Sequence, residues 1–128
     1  METTLLHQVQ MNLINITLLD YGTKEFHMST IKIIATLQLN NPELLEEWKV
    51  ISADINEDLK NNARGFISRE SGIDADGLVY CILEWESREA SEKFRKGLSS
   101  RPDFMEKMED FSRVVNMESM TKKIVDLF

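Results

Sequence analysis

A change of hydrophobic period halfway along residues 77–94, GLVYCILEWESREASEKF, limits the folds open to this chain. The first half alternates with a period of two, which gives a strand with one strongly apolar face made of Val79, Cys81, Leu83 and Trp85. Ser87 then fits a helix N-cap, and Ala90 and Phe94 recur four residues apart, as in a helix. The segment therefore predicts a strand that leads directly into a helix. Trp85 lies at the exit of that strand, at the mouth of any space between sheet and helix.

The segments before this one follow the same two periods. Residues 31–39 alternate as a first strand, and a helix capped by Asn41 and opened by Pro42 follows. This helix is predicted to end near Asn62, and its apolar stripe is formed by Leu44, Trp48, Ile51, Ile55 and Leu59. Residues 65–73 are predicted to form a second strand. The DADG turn after it predicts antiparallel pairing with the strand that ends at Trp85.

The segments after the period change complete a recognisable order. A helix over residues 88–98 precedes a break, and Pro102 opens a second helical piece with a stripe of Phe104, Met108, Phe111 and Val115. A last strand starts near Val114 or Val115 and runs through Thr121. The order strand, helix, strand, strand, helix, strand predicts an α+β, ferredoxin-like domain. In that architecture the helices cover one face of a four-stranded antiparallel sheet, with strands one and three in the centre.

The sheet face away from the helices is semi-apolar in this prediction. It carries Ile34, Thr36, Gln38, Tyr80 and Ile82, which the helices of the same chain leave uncovered. A patch of this kind predicts a partner subunit, and we expect a homodimer formed through the open sheet face, as in a dimeric α/β barrel.

Residues 1–28 differ in sequence pattern from the rest of the chain and are predicted to be an N-terminal extension or arm on a domain of residues 29–128. Val9, Met11 and Leu13 alternate with polar residues, as in an added strand. An unpaired apolar strand invites pairing with another chain, so we expect the arm to clasp a second subunit.

Composition narrows the classes of partner. The formal net charge of -7 and the pI near 4.8 argue against a nucleic-acid partner, because phosphate binding needs clustered Lys and Arg. They also disfavour anionic membrane surfaces, and the sequence has no run of about 20 apolar residues to span a bilayer. The single cysteine, Cys81, lies mid-strand on the apolar face and cannot form an internal disulfide. We therefore expect a protein of the reducing cytoplasm.

The distribution of histidine excludes several kinds of chemistry. Both histidines, His7 and His27, fall in the predicted extension. Ser-His-Asp and Cys-His arrangements would have to borrow a base from that arm, and zinc or iron sites of the usual histidine type have no ligands in the domain. No Gly-rich phosphate loop follows a strand, so we expect neither a metal nor a nucleotide cofactor.

Two interpretations of Trp85 are open from the residues alone. A tryptophan on an apolar strand face is more often part of a core than of a site, because its large surface stabilises any core. In the second interpretation, Trp85 stacks on an aromatic ligand in a cavity between helices and sheet, whose wall is formed by Phe94, Met108 and Phe111. Gln38 or Arg64 would then supply polar contacts to that ligand.

Residues 78–111, LVYCILEWESREASEKFRKGLSSRPDFMEKMEDF, resemble the signature region of the antibiotic biosynthesis monooxygenase superfamily of dimeric α+β barrels. In that region a strand ends in Trp, a charged residue and Ser follow, and a second helix has Phe near its start. The corresponding residues here are Trp85, Glu86, Ser87, Ala90 and Phe104. Residues 31–49 also resemble the family's first strand and helix, so the likeness runs from Ile31 to about Val125.

The resemblance implies a cofactor-independent monooxygenase that acts on a small aromatic or quinol-type substrate, with Trp85 as a pocket residue. The haem-degrading branch of the family pairs this Trp with an Asn and a His at positions that hold Leu37 and Met108 here, so haem ligation is not expected. Quinol-oxidising relatives carry His around the helix break, where residues 95–103 have none. The alternative is a non-catalytic dimeric module of the same fold that binds a small ligand or another protein.

Overall fold

The computed structural model describes residues 29–128, and the predicted N-terminal extension of residues 1–28 lies outside the described residues. The described part forms four strands and three α-helices, which in chain order are β1 (Ile31–Leu39), α1 (Leu45–Asn62), β2 (Phe66–Ile73), β3 (Leu78–Trp85), α2 (Arg88–Leu98), α3 (Phe104–Val114) and β4 (Val115–Asp126). The predicted order of elements is confirmed. No helix in this part of the chain has the length and apolarity that a membrane crossing needs.

The four strands form one sheet in the order β2-β3-β1-β4, and every neighbouring pair is antiparallel. The central strands are β1 and β3, as predicted, and the hairpin between β2 and β3 is the one expected from the DADG turn. Central strands are paired on both edges and covered on one face, which explains why these two are the most apolar. The fold is therefore the ferredoxin-like α+β architecture expected from the sequence.

Both helix starts predicted at a proline differ from the structure by a few residues. The Asn41 side chain accepts a hydrogen bond from the Glu43 N–H at 2.9 Å, as a cap should, but the segment it caps is a 3-10 turn, Pro42–Leu44, and α1 begins after it. Likewise, α3 begins two residues after Pro102. Proline has no N–H to donate, so it suits the first turn of either kind of helix and does not distinguish them.

The three helices cover one face of the sheet, and the core beneath them contains two buried clusters. The Trp48 cluster consists of Leu37, Trp48, Val79, Cys81, Val114, Val115 and Met117. The Trp85 cluster, at the other end of the sheet, consists of Ile31, Ile33, Leu59 and Trp85. The partly buried side chain of Leu83 packs against both clusters. The odd-numbered residues of β1 and β3 thus fill the core, which is the alternation predicted from the sequence.

The opposite face of the sheet is not covered by any helix of the described part. Ile34 in β1 lies between Ile82 of β3 and Lys123 of β4 in the strand pairing. Tyr80, on the same face, donates a hydrogen bond to Asp74 Oδ2 at 3.3 Å. The negative charge of Asp74 is the main cause of a raised pKa of the Tyr80 phenol. This face therefore presents aliphatic, aromatic and charged side chains together.

The helix α2 approaches the start of β2 at Gly65, a position that only glycine fits. Its φ of +88° is in the left-handed region, and a Cβ built on it would lie 2.6 Å from the Cβ of Ala90. The backbone is also tied here, since the Glu86 N–H donates to the Gly65 carbonyl at 2.8 Å. Gly77, in the turn between β2 and β3, has a φ of +89° but open space around it. Substitution of Gly77 therefore tests the unfavourable backbone conformation alone, whereas substitution of Gly65 tests that conformation together with the contact to α2.

We expect Gly65→Ala to lower the free energy of unfolding by about 3 kcal/mol, because it adds a steric conflict with Ala90 to the strain of a positive φ. Gly77→Ala should cost only roughly 1 kcal/mol, since its backbone is equally unfavourable but the new methyl meets nothing. Urea unfolding followed by circular dichroism measures both values. Equal losses would show that the contact with Ala90 does not restrict the position of α2.

Candidate functional site

A cleft of about 680 Å³ opens between the end of α1, the start of β2 and one side of α2. We call it the Phe94 cleft, after the aromatic residue in its wall. Its charged lining residues are the cations Arg64, Lys93 and Arg101 and the carboxylates Glu86 and Glu89. Sites for small ligands have volumes of about 300–1,000 Å³ and combine apolar walls with a few polar groups. By size and lining, this cleft is the candidate functional site.

Phe94 connects the cleft to the Trp85 cluster. Its ring centroid lies 5.9 Å from that of Trp85, and Trp85 in turn meets Phe66 edge-on at 5.6 Å. Trp85 is only 2% exposed, and among the residues described its Nε1 is the one buried side-chain polar atom without a hydrogen-bond partner. A buried donor left unpaired costs about 1–3 kcal/mol. The aromatic layer that backs the cleft thus contains an N–H group without an acceptor in residues 29–128.

Arg101 fixes one side of the cleft. Its Nη1 donates to Asp58 Oδ2 in α1 at 2.5 Å, and its Cζ lies 5.1 Å from the centroid of the Phe94 ring in α2. The side chains of this ion pair are 30% and 25% exposed, so solvent screens the attraction between them. The main effect of Arg101 is therefore positional, because one side chain connects the segment before α3 to both α1 and α2.

The remaining charged groups of the cleft carry both signs of charge. Arg64 and Lys93 are exposed and form no ion pair within residues 29–128. Glu86 and Glu89 stand at the start of α2, where Ser87 caps the helix by accepting a backbone N–H at 3.1 Å and the helix dipole favours carboxylates. The cations suit a negatively charged ligand atom, and the carboxylates can accept hydrogen bonds from ligand hydroxyl groups.

The structure places the predicted binding residues in different parts of the fold. Trp85 and Phe94 lie together, with Phe94 in the cleft wall and Trp85 behind it. Met108 and Phe111 pack instead against the Trp48 cluster, where the rings of Phe111 and Trp48 meet edge-on at 6.0 Å. The apolar stripe of α3 therefore covers the other half of the core. A binding role for these four residues stays a prediction.

Gln38 lies on the open face of the sheet, outside the lining of the Phe94 cleft. Its backbone N–H donates to Ser119 Oγ at 2.8 Å, and its side chain is exposed. The strand pairing is irregular at this point, because residues 117–120 of β4 stand opposite the single residue Leu37. The predicted contact of Gln38 with a ligand also stays a prediction.

Sequence reasoning proposed Arg64 for the site but missed Lys93 and Arg101. Lys93 belongs to a charged helix face that is typical of solvated residues, and Arg101 belongs to the break between α2 and α3. Their meeting depends on how α2 turns back beside α1, which no local pattern encodes. The signal that the sequence did contain was the strand exit at Trp85, which predicted a space at this end of the sheet.

Neighbouring carboxylates raise the pKa values of Tyr80, Lys107 and Arg113, which lie outside the Phe94 cleft. The pKa of Tyr80 is raised chiefly by the charge of Asp74. The pKa of Lys107 is raised chiefly by its hydrogen bond to Asp54, and that of Arg113 by its hydrogen bond to Glu47. The last two pairs join α3 to α1 rather than mark a site. Within residues 29–128, no three His, Cys, Asp or Glu side chains are grouped so that they could hold a metal ion.

Comparison with known proteins gives matches at the level of structure. No family model and no curated protein sequence matches this chain. A "putative antibiotic biosynthesis monooxygenase" from Caulobacter crescentus CB15 is 16% identical, with a TM-score of 0.65 over 79% of this chain and 92% of that one. A conserved protein from Methanosarcina mazei Go1 is 16% identical, with a TM-score of 0.62 over 79% and 95% of the two chains. SnoaB, a cofactor-independent oxygenase from Streptomyces nogalater, is 14% identical, with a TM-score of 0.57 over 78% and 94%.

The chain thus has the fold of a class of small α+β proteins in which several members are named as oxygenases. The resemblance to the antibiotic biosynthesis monooxygenase superfamily, drawn from residues 78–111, is confirmed at the level of the fold. The identities of 14% to 16% are too low to carry a substrate from one chain to another. The likeness to these structures establishes the architecture only. A proposal about function therefore has to rest on the residues that line the Phe94 cleft.

A variant with Trp48→Phe keeps Trp85 as the only tryptophan of the chain. We expect a quinone such as menadione to quench its fluorescence saturably, because a ligand in the Phe94 cleft would be separated from the indole by a single ring. Adding Phe94→Ala should weaken binding by about fivefold or more, through loss of the aromatic contact. The measurement is a fluorescence titration.

The matched control is Trp85→Phe, which keeps only Trp48, in the other cluster of the core. It should show collisional quenching that rises linearly with quinone concentration. Quenching of the same form in both single-tryptophan variants would place the ligand elsewhere than beside Trp85.

Proposed function

We propose that this chain is a cytoplasmic, cofactor-independent monooxygenase that binds a small aromatic or quinol-type substrate in the Phe94 cleft. The observation that carries the proposal is an aromatic wall, Phe94 backed by Trp85, in one cleft with Arg64 and Lys93, two cations that have no ion-pair partner among the described residues. A flat ring packs against the wall, and the cations attract its phenolate oxygen. The fold shared with SnoaB, a cofactor-independent oxygenase, supports the reaction class. The buried free thiol of Cys81 supports a reducing compartment.

The reaction requires the substrate itself to act as the reductant of oxygen. A phenol loses its proton more readily beside a cation, because opposite charge lowers its pKa, and Arg64 and Lys93 supply that charge. The resulting anion reduces O₂. One oxygen atom becomes bonded to a substrate carbon, and the other leaves as water with two substrate hydrogens. The carboxylates of Glu86 and Glu89 can accept the hydrogen bonds of other substrate hydroxyl groups.

A non-catalytic ligand-binding module of the same fold is the second candidate, and the packing of Trp85 favours it. The indole is 2% exposed and is held between Phe66 and Phe94. Around it lie Ile31 and Leu59, which are also buried. Trp85 then serves as core, and the Phe94 cleft binds a ligand without contact to the indole. The two candidates differ in whether oxygen is consumed.

Oxygen uptake with a panel of hydroquinones and anthrones tests the proposed reaction. For an active substrate, we expect Lys93→Glu to lower kcat/KM about tenfold or more, because a carboxylate replaces a cation that stabilises the substrate anion. Lys49→Glu makes the same change of charge near the start of α1, whereas the cleft lies at the end of that helix. Its kcat/KM should stay within about twofold of that of the unmodified protein. Binding in the cleft without oxygen uptake above the spontaneous rate would favour the non-catalytic module.

We propose further that two copies of the chain associate through their open sheet faces. Ile34 and Ile82 are side by side in the two central strands, so the middle of the face is aliphatic. Glu84 is on the β3 side of this face and Lys123 on the β4 side, which permits opposite charges to meet in a self-complementary interface. Burial of the aliphatic centre would stabilise the dimer.

We expect Ile34→Lys to raise the dimer dissociation constant about a hundredfold or more, because two-fold symmetry would bury two unpaired charges at the centre of the interface. The control is Val50→Lys, which adds the same charge at a side chain that is 70% exposed on α1. Sedimentation velocity at several protein concentrations measures both. A native chain that is monomeric at all concentrations, or a dimer unaffected by Ile34→Lys, would contradict this arrangement.

A further inference from the structure

Arg69 lies in the edge strand β2 and points toward the helix-covered face of the sheet. Its Nη1 donates to Ser52 O at 3.2 Å, to Ser52 Oγ at 2.7 Å and to Asn56 Oδ1 at 3.0 Å, all in α1. Its Nη2 lies 3.5 Å from the Sγ of Cys81 in β3. A half-buried guanidinium group is therefore inserted between α1 and the sheet.

The charge of Arg69 is not neutralised by a carboxylate in the described part of the chain. All of its described acceptors are neutral oxygen or sulfur atoms. Guanidinium stays protonated in proteins, and taking a cation out of water without an anion is costly. Its charge therefore remains available to an anion that approaches from the adjacent surface. This distinguishes Arg69 from Arg101, which is bound to Asp58.

Beside Arg69, a groove of about 260 Å³ runs between α1 and the end of β2. Trp48 and Val79 form apolar parts of its lining, and Ser52 and Asn56 form polar parts. Because Ser52 Oγ and Asn56 Oδ1 both accept from Arg69, the Ser52 hydroxyl hydrogen and the Asn56 amide hydrogens are left without a described acceptor. The groove thus offers the hydroxyl hydrogen of Ser52 and the amide hydrogens of Asn56 as donors, next to a positive charge that no carboxylate of the described residues compensates.

We propose that this groove, the Arg69 groove, binds a small organic carboxylate. Its oxygens accept the hydrogens of Ser52 and Asn56, and its apolar group packs on Trp48 and Val79. Arg69 is a positioning residue, since its hydrogen bonds orient the two donors while its charge attracts the anion. The apolar part of the lining favours a carboxylate that carries a ring or short chain over an inorganic anion. The groove shares no lining residue with the Phe94 cleft, so this inference does not depend on the proposed function.

The test uses the full chain labelled with ¹⁵N and titrated with benzoate. We expect saturable shifts of the backbone amides of Ser52 and Asn56 and of the indole N–H of Trp48. Benzamide, which has the same shape without the charge, should bind at least about tenfold more weakly. Absence of saturation at the groove up to the solubility limit of benzoate, or equal affinity for benzamide, would overturn the proposal.

Two variants of Ala53 separate charge from folding. Ala53 lines the groove and is exposed on α1, so neither Ala53→Glu nor Ala53→Gln disturbs the core. Ala53→Glu should weaken benzoate about tenfold or more by repulsion, while Ala53→Gln should stay within about threefold. Lys93→Gln, in the Phe94 cleft, should leave the shifts at Ser52 unchanged. Equal effects of Glu and Gln at position 53 would rule out an anion in the groove.

A change at Arg69 itself tests its positioning role. Arg69→Gln should abolish the preference for benzoate over benzamide, whereas Arg69→Lys, which keeps the charge but not the planar fork, should retain part of it. A merely structural Arg69 would lower the affinity for both ligands equally and leave the preference intact, which would contradict the role proposed here. If Arg69→Gln does not fold, the comparison of the two Ala53 variants decides the question.

Discussion

The packing of Trp85 between Phe66 and Phe94 is the contact on which this end of the molecule depends. The three rings belong to β3, β2 and α2, and their centroid separations of 5.6 and 5.9 Å fix α2 against the sheet. Aromatic rings bury large areas at low cost in side-chain entropy, so such a cluster holds three elements with few residues. Because α2 follows β3 after only two residues, the chain must turn back at once, and Gly65 leaves room for the turn.

The cleft follows from this arrangement. One side of the Phe94 ring rests on Trp85, and Arg101 lies over the ring while it is held by Asp58 of α1. The space that remains between α1 and α2 is wide enough for a small molecule and carries charged side chains from α2 and from the segments that connect the elements around it. A filled core and an open cleft are therefore not in conflict here. The same tryptophan that closes the core supports the wall of the cleft.

Arg101 and Arg69 both contact α1, but they differ in the charge of the groups that accept their hydrogen bonds. Arg101 is bound to a carboxylate, so its charge is largely cancelled and its role is to hold two helices at a fixed distance. Arg69 also holds a helix, but its acceptors among the described residues are all neutral, so its charge is still available to a ligand. Both residues look alike in the sequence. Only the identity of the atoms around each guanidinium separates a structural cation from one that can attract an anion.

The sequence by itself determined the strands, the hairpin, the helix order and the inward-facing residues of β1 and β3, because these depend on periods of two and 3.6 residues and on local turn chemistry. It also located the end of the sheet at which a space opens, through the direct passage from Trp85 to α2. It did not separate Met108 and Phe111 from Phe94, since one apolar stripe looks like another until the helices are packed. Tertiary structure alone decided which half of the core each stripe covers and which surface cations meet in one cleft, because those meetings join residues far apart in the chain.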